Sequence, residues 1–179
     1  MLKIEITRGG DFRREEADRL VALFADNFPE AFVVQIGAND GASGDPLVAA
    51  FARTCWSGLL VEPVPHLCSA LAQRYAERPN VRVVQAAISL EDGDAALYRL
   101  REIPGQTPEW FSHLATLDRE ILLRHRASIP EIESLIVEER VPTLRLATLL
   151  RQHAIERIDL LVIDAEGYDF EILRQVDFT

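Results

Sequence analysis

Short apolar runs alternate with amphipathic stretches along most of the chain. The run at residues 32–36 is followed by further apolar runs at 58–61, 81–88 and 158–164. Between these runs, apolar residues recur at helical spacing and charged residues occupy the opposite positions. Apolar runs separated by helices are typical of strands buried on both faces of a parallel sheet. The pattern therefore predicts an α/β fold with a mostly parallel sheet and helices on both faces.

An amphipathic helix is predicted before the first strand, over residues 13–28. The apolar positions that share one face of this helix are Ala17, Leu20, Val21, Phe24 and Phe28. We expect residues 1–31 to form a helical cover and residues 32–179 to form the main domain. Two further helices are expected, one after an N-cap at 43–46 and one at Pro65, because proline favours the first helical turn.

Residues 101–135 interrupt the regular alternation of strands and helices. Before them, the turn residues at 91–94 predict a hairpin whose returning strand covers 96–100. After them, a strand is predicted at 136–141 and a helix at 144–153. An insertion of this size beside a sheet edge is a suitable place for a substrate-binding cap. The alternative is a structural excursion that only shields the sheet.

Within the insertion, a helix is predicted to start at residues 107–109. The apolar positions that carry its helical stripe are Leu114, Leu117, Ile121 and Leu122. His113 lies next to this stripe and is the one residue of the insertion that we consider as a catalytic candidate.

The composition limits the classes of partner. The chain has 179 residues, of which 19 are Lys or Arg and 29 are Asp or Glu, so its formal net charge is −10. A protein this acidic repels phosphate backbones, and we expect no nucleic-acid partner. No apolar run approaches the ~20 residues that a membrane helix needs, and the N-terminus lacks the pattern of a signal peptide. We therefore predict a cytoplasmic protein that binds no membrane.

The two cysteines, Cys55 and Cys68, have no ligand-type neighbours at metal spacing. A disulfide is not expected in a reducing compartment. We predict two small, buried, apolar side chains and no metal site.

Small and polar residues end the first apolar run, and a carboxylate ends the second. Gly37 and Gly41 flank Asn39 and Asp40 in the first turn, and Glu62 ends the second run. In an open parallel sheet, a glycine-bearing turn and such a carboxylate meet at the carboxyl edge. The carboxylate can there accept hydrogen bonds from both hydroxyls of a ribose. The pattern predicts a nucleoside site.

The turn also indicates the charge of the ligand. Asn39 and Asp40 add a side-chain amide and a negative charge where a pyrophosphate would need bare backbone amides. This favours a ligand with positive charge, such as the ammonium and sulfonium of S-adenosylmethionine, over NAD.

Four motifs together resemble the FkbM-type methyltransferases, which are Rossmann-like S-adenosylmethionine-dependent enzymes of class I. The resemblance extends from the first apolar run to the C-terminus. The segments that carry it are 35–41, 61–65, 86–89 and the pair formed by 141–143 and 158–167. Their order and spacing both agree with the family pattern.

The resemblance implies roles for the residues of these motifs. Those expected to line the cofactor site are Gln35, Gly37, Ala38, Asn39, Asp40, Gly41, Glu62, Pro63, Ala87, Ile88 and Asp164. Glu62 would hold the ribose hydroxyls, and Ala87 and Ile88 would lie near the adenine. If the acceptor is a hydroxyl, Glu166 or Asp164 is our candidate for the catalytic base that removes its proton, with His113 as a third candidate.

The chain departs from the family pattern at three points. An acidic residue often occupies the place of Gln35, and a lysine commonly occupies the place of Val162. The class also continues its sheet with further strands, so this chain resembles a domain truncated at its C-terminus. Its fourth core strand would be an apolar edge, which sheets rarely leave exposed. We expect a C-terminal continuation or a second copy of the chain to cover that edge.

Three functions agree with the sequence. The first is an S-adenosylmethionine-dependent methyltransferase that modifies a hydroxyl of a small molecule or glycan. The second is an NAD-dependent oxidoreductase, which Glu62 alone would allow. The third is a catalytically silent homologue that still binds the cofactor.

Overall fold

The computed structural model describes residues 14–42, 44–103 and 107–177, which form two sheets with flanking helices. The helices are α1 (Arg14–Asn27), α2 (Leu47–Arg53), α3 (Pro65–Arg74), α4 (Arg119–Leu123), α5 (Ile132–Leu135), α6 (Leu146–Gln152) and α7 (Asp169–Leu173). The strands are β1 (Phe32–Ile36), β2 (Ser57–Val61), β3 (Val81–Val84), β4 (Ala87–Ile88), β5 (Gly93–Leu100), β6 (Ala115–Thr116), β7 (Ile136–Leu144) and β8 (Leu160–Ile163). Short 3₁₀ helices cover Glu109–His113 and Arg124–Ala127.

The main sheet contains four parallel strands in the order β3, β2, β1, β8. Val34 of β1 lies in register between Leu59 of β2 and Leu161 of β8. The inner strands β1 and β2 are buried over their last four residues. The predicted α/β fold with a mostly parallel sheet is confirmed. Among the described strands, β8 lies at one edge of this sheet.

Helices cover both faces of the main sheet because alternate residues of each strand point to opposite sides. On one face, Val33 packs in a cluster with Phe51 of α2 and Trp56, to which α1 and α3 also contribute. On the other face, Val34 packs in a second cluster with Leu149 of α6 and other side chains of α6 and α7. The two clusters form the core of the main sheet.

The first helix agrees with its predicted bounds, but its buried face differs from the prediction. Val21 and Ala25 are buried and Phe24 packs against the core, whereas Leu20 is 45% exposed and Phe28 is 51% exposed. Residues four apart lie above one another on a helix, so Val21 and Ala25 define the line of contact. Leu20 and Phe28 lie away from this line.

The predicted hairpin after residue 91 is wrong. The second sheet has the order β4, β7, β5, β6, so β7 lies between the two strands that the hairpin would have paired. The turn residue Asp92 instead accepts hydrogen bonds from the N–H of Arg145 at 2.7 Å and from the hydroxyl of Thr148 at 2.9 Å. These bonds tie the turn to the start of α6. The predicted strand at 81–88 is divided into β3 and β4, which belong to different sheets.

The predicted helical stripe of the insertion is only partly confirmed. Ile121 and Leu122 lie in α4, but Leu114 and Leu117 lie outside any helix. Between them, β6 pairs with β5, which holds this part of the chain extended. A separate apolar cluster forms under the insertion instead, and it contains Leu100, Phe111, Leu114, Leu122, Ile129 and Ile132.

Some sequence predictions lie outside the described residues. These are the N-cap at Ser43, the part of the helical cover within residues 1–13 and the part of the insertion within residues 104–106. Near that N-cap, Asp45 Oδ1 accepts a hydrogen bond from the N–H of Leu47 at 2.8 Å.

The two cysteines differ in their exposure to solvent. Cys68 is buried as predicted, but Cys55 is exposed, so the prediction of two buried thiols was wrong for Cys55. Cys55 follows the end of α2, where its N–H donates to the carbonyl of Pro29, and the side chain is left at the surface.

Within the described part of the chain, no helix combines the length and the apolar character needed to cross a bilayer.

Candidate functional site

A cavity of about 630 Å³ lies at the carboxyl edge of the main sheet. Its walls come from the segments that follow β1 and β2, from the end of β8, and from β4 and the insertion. Ligand cavities in proteins usually measure roughly 300–1,000 Å³ and occur at this edge of open α/β sheets. The cavity is therefore the candidate site.

Most of the predicted site residues lie on the wall of this cavity. They are Gln35, Gly37, Ala38, Asn39, Glu62, Pro63, Ala87, Ile88, His113, Asp164 and Glu166. The sequence motifs and the histidine of the insertion therefore meet at one place in the fold.

Asp40 and Gly41 follow the wall residue Asn39 but are not among the residues that line the cavity. The carbonyl of Asp40 accepts a hydrogen bond from Arg74 Nε at 3.2 Å, and Asp40 Oδ1 accepts one from the N–H of Ala42 at 2.9 Å. Gly41 packs against α3, where an added Cβ would lie 2.6 Å from Leu71 Cδ1. These contacts place the turn after Asn39 against α3.

Gly37 is required for the contact between the ends of β1 and β8. Its φ is +80°, and an added Cβ would lie 1.8 Å from the backbone oxygen of Asp164. The N–H groups of Gly37 and Ala38 both donate to the carbonyl of Val61, at 2.9 and 3.0 Å. Only glycine allows the three strand ends to approach this closely.

Glu62 is held rigidly beneath the glycine turn. Its Oε2 accepts the N–H of Asn39 at 2.8 Å, and its Oε1 accepts the N–H of Val64 at 2.9 Å. The side chain is 4% exposed, and burial raises its pKa from 4.5 to about 7 even though both amides oppose this rise. Each carboxylate oxygen keeps a further lone pair, so Glu62 can accept hydrogen bonds from the cavity.

Asn39 links the turn to the insertion. Its φ is +51°, in the left-handed region, which asparagine adopts more readily than most residues. Its Oδ1 accepts the N–H of Asp40 at 2.7 Å, and its Nδ2 donates to the carbonyl of Ser112 at 3.1 Å. The Asn39 amide therefore positions His113, the residue after Ser112, beside the cavity.

One part of the cavity is apolar. Ala86, Ala87, Ile88 and Leu97 are at most 6% exposed and lie on its wall. Small and aliphatic side chains of this kind leave room for a flat, apolar group such as an aromatic base.

Another part of the cavity is acidic. Burial is the main cause that raises the pKa of Glu166 from 4.5 to about 7, and the charges of Asp164 and Asp169 add to it. Asp164 is exposed at its surface, but partial burial by the cavity walls still raises its pKa. The nearby His113 opposes this rise. A carboxylate with a pKa near 7 is well matched to accept a proton at neutral pH.

The turn that carries Glu166 is fixed by the residues around it. Asp169 accepts hydrogen bonds from the N–H groups of Ala165 at 2.9 Å and Gly167 at 3.1 Å. An added Cβ on Gly167 would lie 2.8 Å from Ile121 Cδ1 of α4. The insertion therefore packs directly on the Glu166 turn.

The structure also places residues on the wall that were not predicted. Ala17 of α1 and the segment Gly44, Asp45 and Pro46 before α2 line the cavity beside Gln35. Asp45 was predicted only as part of a helix start. The position of that helix at the same sheet edge as the glycine turn is the signal that could have identified it.

No group of three or more His, Cys, Asp or Glu side chains is arranged to hold a metal ion in the described ranges.

Comparisons with known proteins identify a family and a solved structure that resembles part of the chain. The sequence profile of the methyltransferase FkbM domain matches residues 35–179. A crystal structure from Methanococcus maripaludis, described as that of a candidate S-adenosyl-L-methionine-dependent methyltransferase, is similar at 15% identity and a TM-score of 0.29. That similarity covers 46% of this chain and 45% of the other. No curated protein matches the chain significantly.

Proposed function

Because the chain belongs to the FkbM methyltransferase family, we propose that it transfers a methyl group from S-adenosylmethionine to a hydroxyl of a small-molecule or glycan acceptor. The observation that carries this proposal is the placement of two carboxylates on one cavity. Glu62 is fixed under the glycine turn, and Glu166 lies on the turn after β8. Glu62 would bind the sugar of the cofactor, and Glu166 would accept the proton of the acceptor hydroxyl.

The residues of the cavity fit the parts of this cofactor. The free lone pairs of Glu62 would accept hydrogen bonds from the two ribose hydroxyls. Ala87 and Ile88 would contact the adenine. Gly37 and Ala38 present backbone without bulky side chains, which allows close approach of the ligand. When bound, S-adenosylmethionine supplies an electrophilic methyl group on a positively charged sulfur.

Glu166 is proposed as the general base. Burial and the two neighbouring aspartates raise its pKa to about 7, so Glu166 can take up a proton near neutral pH. Glu166 would take the proton from the acceptor hydroxyl while the methyl group is transferred to the oxygen. Aligning the hydroxyl for attack accounts for the rest of the rate enhancement that we assign to the protein. His113 is the alternative base.

The insertion is proposed to bind the acceptor. Ser112, His113, Thr116 and Leu117 lie on the cavity wall, and α4 packs on the Glu166 turn. An acceptor that enters the cavity would contact these residues, which agrees with the predicted role of the insertion as a cap.

Calorimetric titration tests the cofactor. We expect S-adenosylmethionine and S-adenosylhomocysteine to bind and NAD not to bind. Binding of NAD alone would overturn the proposal in favour of an oxidoreductase.

A second assay tests the reaction itself. Release of S-adenosylhomocysteine is measured with panels of hydroxylated small molecules and of glycans. Cofactor binding without release above the background rate across both panels would favour a silent homologue.

A further inference from the structure

A second cavity, of about 470 Å³, lies beside the second sheet and outside the candidate site. The residues on its wall are His66, Arg99, Arg101, Glu102 and Val137, and none of them lines the first cavity. Two arginines and a histidine on one wall contrast with the formal net charge of −10 of the whole chain. An anion is repelled by most of the protein, so this wall is a distinctive place for one to bind.

The two arginines of this wall differ in what already binds them. Arg99 Nη2 donates to Glu139 Oε1 at 2.6 Å, and the Arg99 side chain is 18% exposed. This bond holds Arg99 in place and offsets its charge. Arg101 is exposed, and its side chain has no ion pair or hydrogen bond with another described residue. Arg101 is therefore the cation that remains available to a ligand.

The backbone fixes the position of Arg101, and a histidine lies next to the carboxylate on the same wall. The N–H of Arg101 donates to the carbonyl of Leu135 at 2.7 Å, which anchors the residue just after β5. Glu102 Oε1 lies 3.4 Å from His66 Nε2. A guanidinium group has five N–H donors, so Arg99 and Arg101 keep donors for a ligand beyond the contacts described.

The two cavities adjoin along the second sheet. Arg99 of β5 lies directly opposite Ala115 of β6, and Ala115 lines the first cavity. Leu97, two residues before Arg99 and on the same face of β5, also lines the first cavity. Directly opposite residues of antiparallel strands have Cβ atoms about 4.5–5.5 Å apart. The two cavities are therefore close enough for one extended ligand to enter both.

The charges of the two cavities would orient such a ligand. Glu166 and Asp164 make part of the first cavity acidic, and like charges repel most strongly where water is excluded. A negatively charged group is therefore disfavoured beside Glu166 and favoured beside Arg101. A molecule that carries both a hydroxyl and an anionic group would bind with the hydroxyl toward Glu166.

We propose that the second cavity binds an anionic group of the acceptor through Arg101 and Arg99, while the hydroxyl to be methylated lies in the first cavity. This inference rests on the proposed function, because it takes the first cavity to be the site of methyl transfer. The anionic group is a carboxylate or a sulfate or phosphate ester, since guanidinium groups bind these groups through paired hydrogen bonds. The acceptor class is thereby narrowed to acidic molecules, such as glycans that contain uronic acids or ester-linked anions.

Saturation-transfer NMR on the full chain tests the binding of the anion without relying on activity. Methyl glucuronoside and methyl glucoside are matched sugars that differ in the carboxylate, and methyl glucoside 6-sulfate and 6-phosphate provide the two esters. We expect the anionic sugars to bind about tenfold to a hundredfold more tightly than methyl glucoside, the range for hydrogen bonds to a charged group. Their relative affinities distinguish a carboxylate from an ester. Inorganic sulfate that binds as tightly as the anionic sugars would overturn the inference, because the site would then take a free ion.

Variants of Arg101 assign the binding to the second cavity. Arg101→Gln removes the charge and keeps the backbone N–H that Leu135 accepts. We expect it to bind the anionic sugars at least tenfold more weakly, and methyl glucoside and S-adenosylhomocysteine within twofold of the unchanged protein. Arg101→Lys keeps the charge and should recover most of the affinity. Arg124→Gln removes an exposed arginine that lines neither cavity, and we expect it to bind every ligand normally.

Turnover tests the link to the acceptor. Release of S-adenosylhomocysteine is measured with acidic oligosaccharides and with the same oligosaccharides after reduction of their carboxyl groups or removal of their sulfates. We expect kcat/KM to be at least tenfold higher for the acidic member of each pair. In Arg101→Gln, KM for the acidic member should rise about tenfold while kcat stays within twofold, because Arg101 binds the acceptor away from the reacting atoms.

The failure of this inference is distinguishable from failure of the proposed function. Equal binding and turnover of acidic and neutral members, or an Arg101→Gln variant that behaves like the unchanged protein, would overturn the inference, and turnover of neutral acceptors would leave the proposed function standing. Arg101-dependent binding of the anionic sugars without turnover of any acceptor would overturn the proposed function, and with it the acceptor role of the second cavity.

Discussion

The proposed cofactor side and the proposed acceptor side of the cavity each contain a glutamate whose pKa is raised to about 7, mainly by burial, but the two side chains are held differently. Glu62 is almost fully buried and its two oxygens accept backbone amides, which hold it in one position. Glu166 lies on a turn with a positive φ of 45°, where two neighbouring aspartates add to the effect of burial. The same pKa therefore accompanies the proposed cofactor-binding group on one side and the proposed base on the other.

A raised pKa therefore does not identify a catalytic base by itself. A group whose oxygens are both engaged by amides is suited to orient a ligand. A group whose charge is disfavoured by neighbouring acids is suited to take up a proton. The predictions below test whether the two sides can be disrupted separately.

The largest effect is expected from Gly37→Ala, which disrupts both sides at once. The new Cβ would lie 1.8 Å from the Asp164 backbone oxygen, so β1 and β8 would have to separate. We expect a loss of more than ~3 kcal/mol in the free energy of unfolding, since a strained positive φ alone costs about 1–3 kcal/mol. Thermal and denaturant unfolding measure the change.

Gly93→Ala is the matched control for that variant. Gly93 also has a positive φ, but no atom lies within 4 Å of its added Cβ. It should show only the cost of backbone strain. Equal destabilisation by the two variants would show that the contact with Asp164 is unimportant.

The next largest effect is expected on turnover from Glu166→Gln. General bases contribute about 10²–10⁴-fold to rates, so we expect kcat to fall by that factor while S-adenosylhomocysteine binds normally. Glu91→Gln, at an exposed position, is the control and should leave kcat unchanged. Unchanged turnover in the Glu166 variant would exclude this residue as the base.

The pH dependence of the rate should show the ionisation of Glu166. Its folded pKa is raised to about 7, so the fraction in the base form increases as the pH rises through 7. We expect kcat/KM for the acceptor, measured with saturating S-adenosylmethionine so that Glu62 is already engaged, to rise about tenfold per pH unit below 7 and to level above it. In Asp164→Asn the rising part of the pH profile should move to lower pH, because one acidic neighbour of Glu166 is removed. A rising part at unchanged pH would contradict the conclusion that the Asp164 charge raises the pKa of Glu166.

The smallest effect is expected from His113→Gln. His113 lies on the wall and its charge lowers the pKa of Asp164, but Glu166 is the proposed base. We expect kcat to fall less than tenfold. A loss as large as that of Glu166→Gln, with the acid limb of the pH profile abolished, would instead make His113 the base.

The parts of the fold that follow local patterns could be predicted from the sequence. Each strand of the main sheet is an apolar run, and the polar residues at the ends of β1, β2 and β8 meet because parallel strands share a carboxyl edge. Gly37, Glu62 and Glu166 were found in this way, and all three lie on the cavity.

The second sheet and part of the wall could not be predicted, because they depend on contacts between distant residues. Nothing near residue 91 indicates that Asp92 binds the start of α6, or that β7 enters between β4 and β5. Similarly, Asn39 and Asp40 are adjacent in sequence, but Asn39 has a left-handed φ and lines the cavity, whereas Asp40 is not among the lining residues. Asp45 reaches the cavity because α2 packs beside β1, which its own segment does not reveal.

The most direct test of the division between the two sides is a calorimetric titration of S-adenosylhomocysteine into the unchanged protein, Glu62→Gln and Glu166→Gln. In Glu62→Gln, one backbone amide would face an NH₂ group and the charge that holds the ribose hydroxyls is lost. We predict that this variant binds at least tenfold more weakly, consistent with charged hydrogen bonds of about 1.5–3 kcal/mol, and that Glu166→Gln binds within twofold of the unchanged protein. Normal binding by Glu62→Gln, or an equal loss in both variants, would contradict the account.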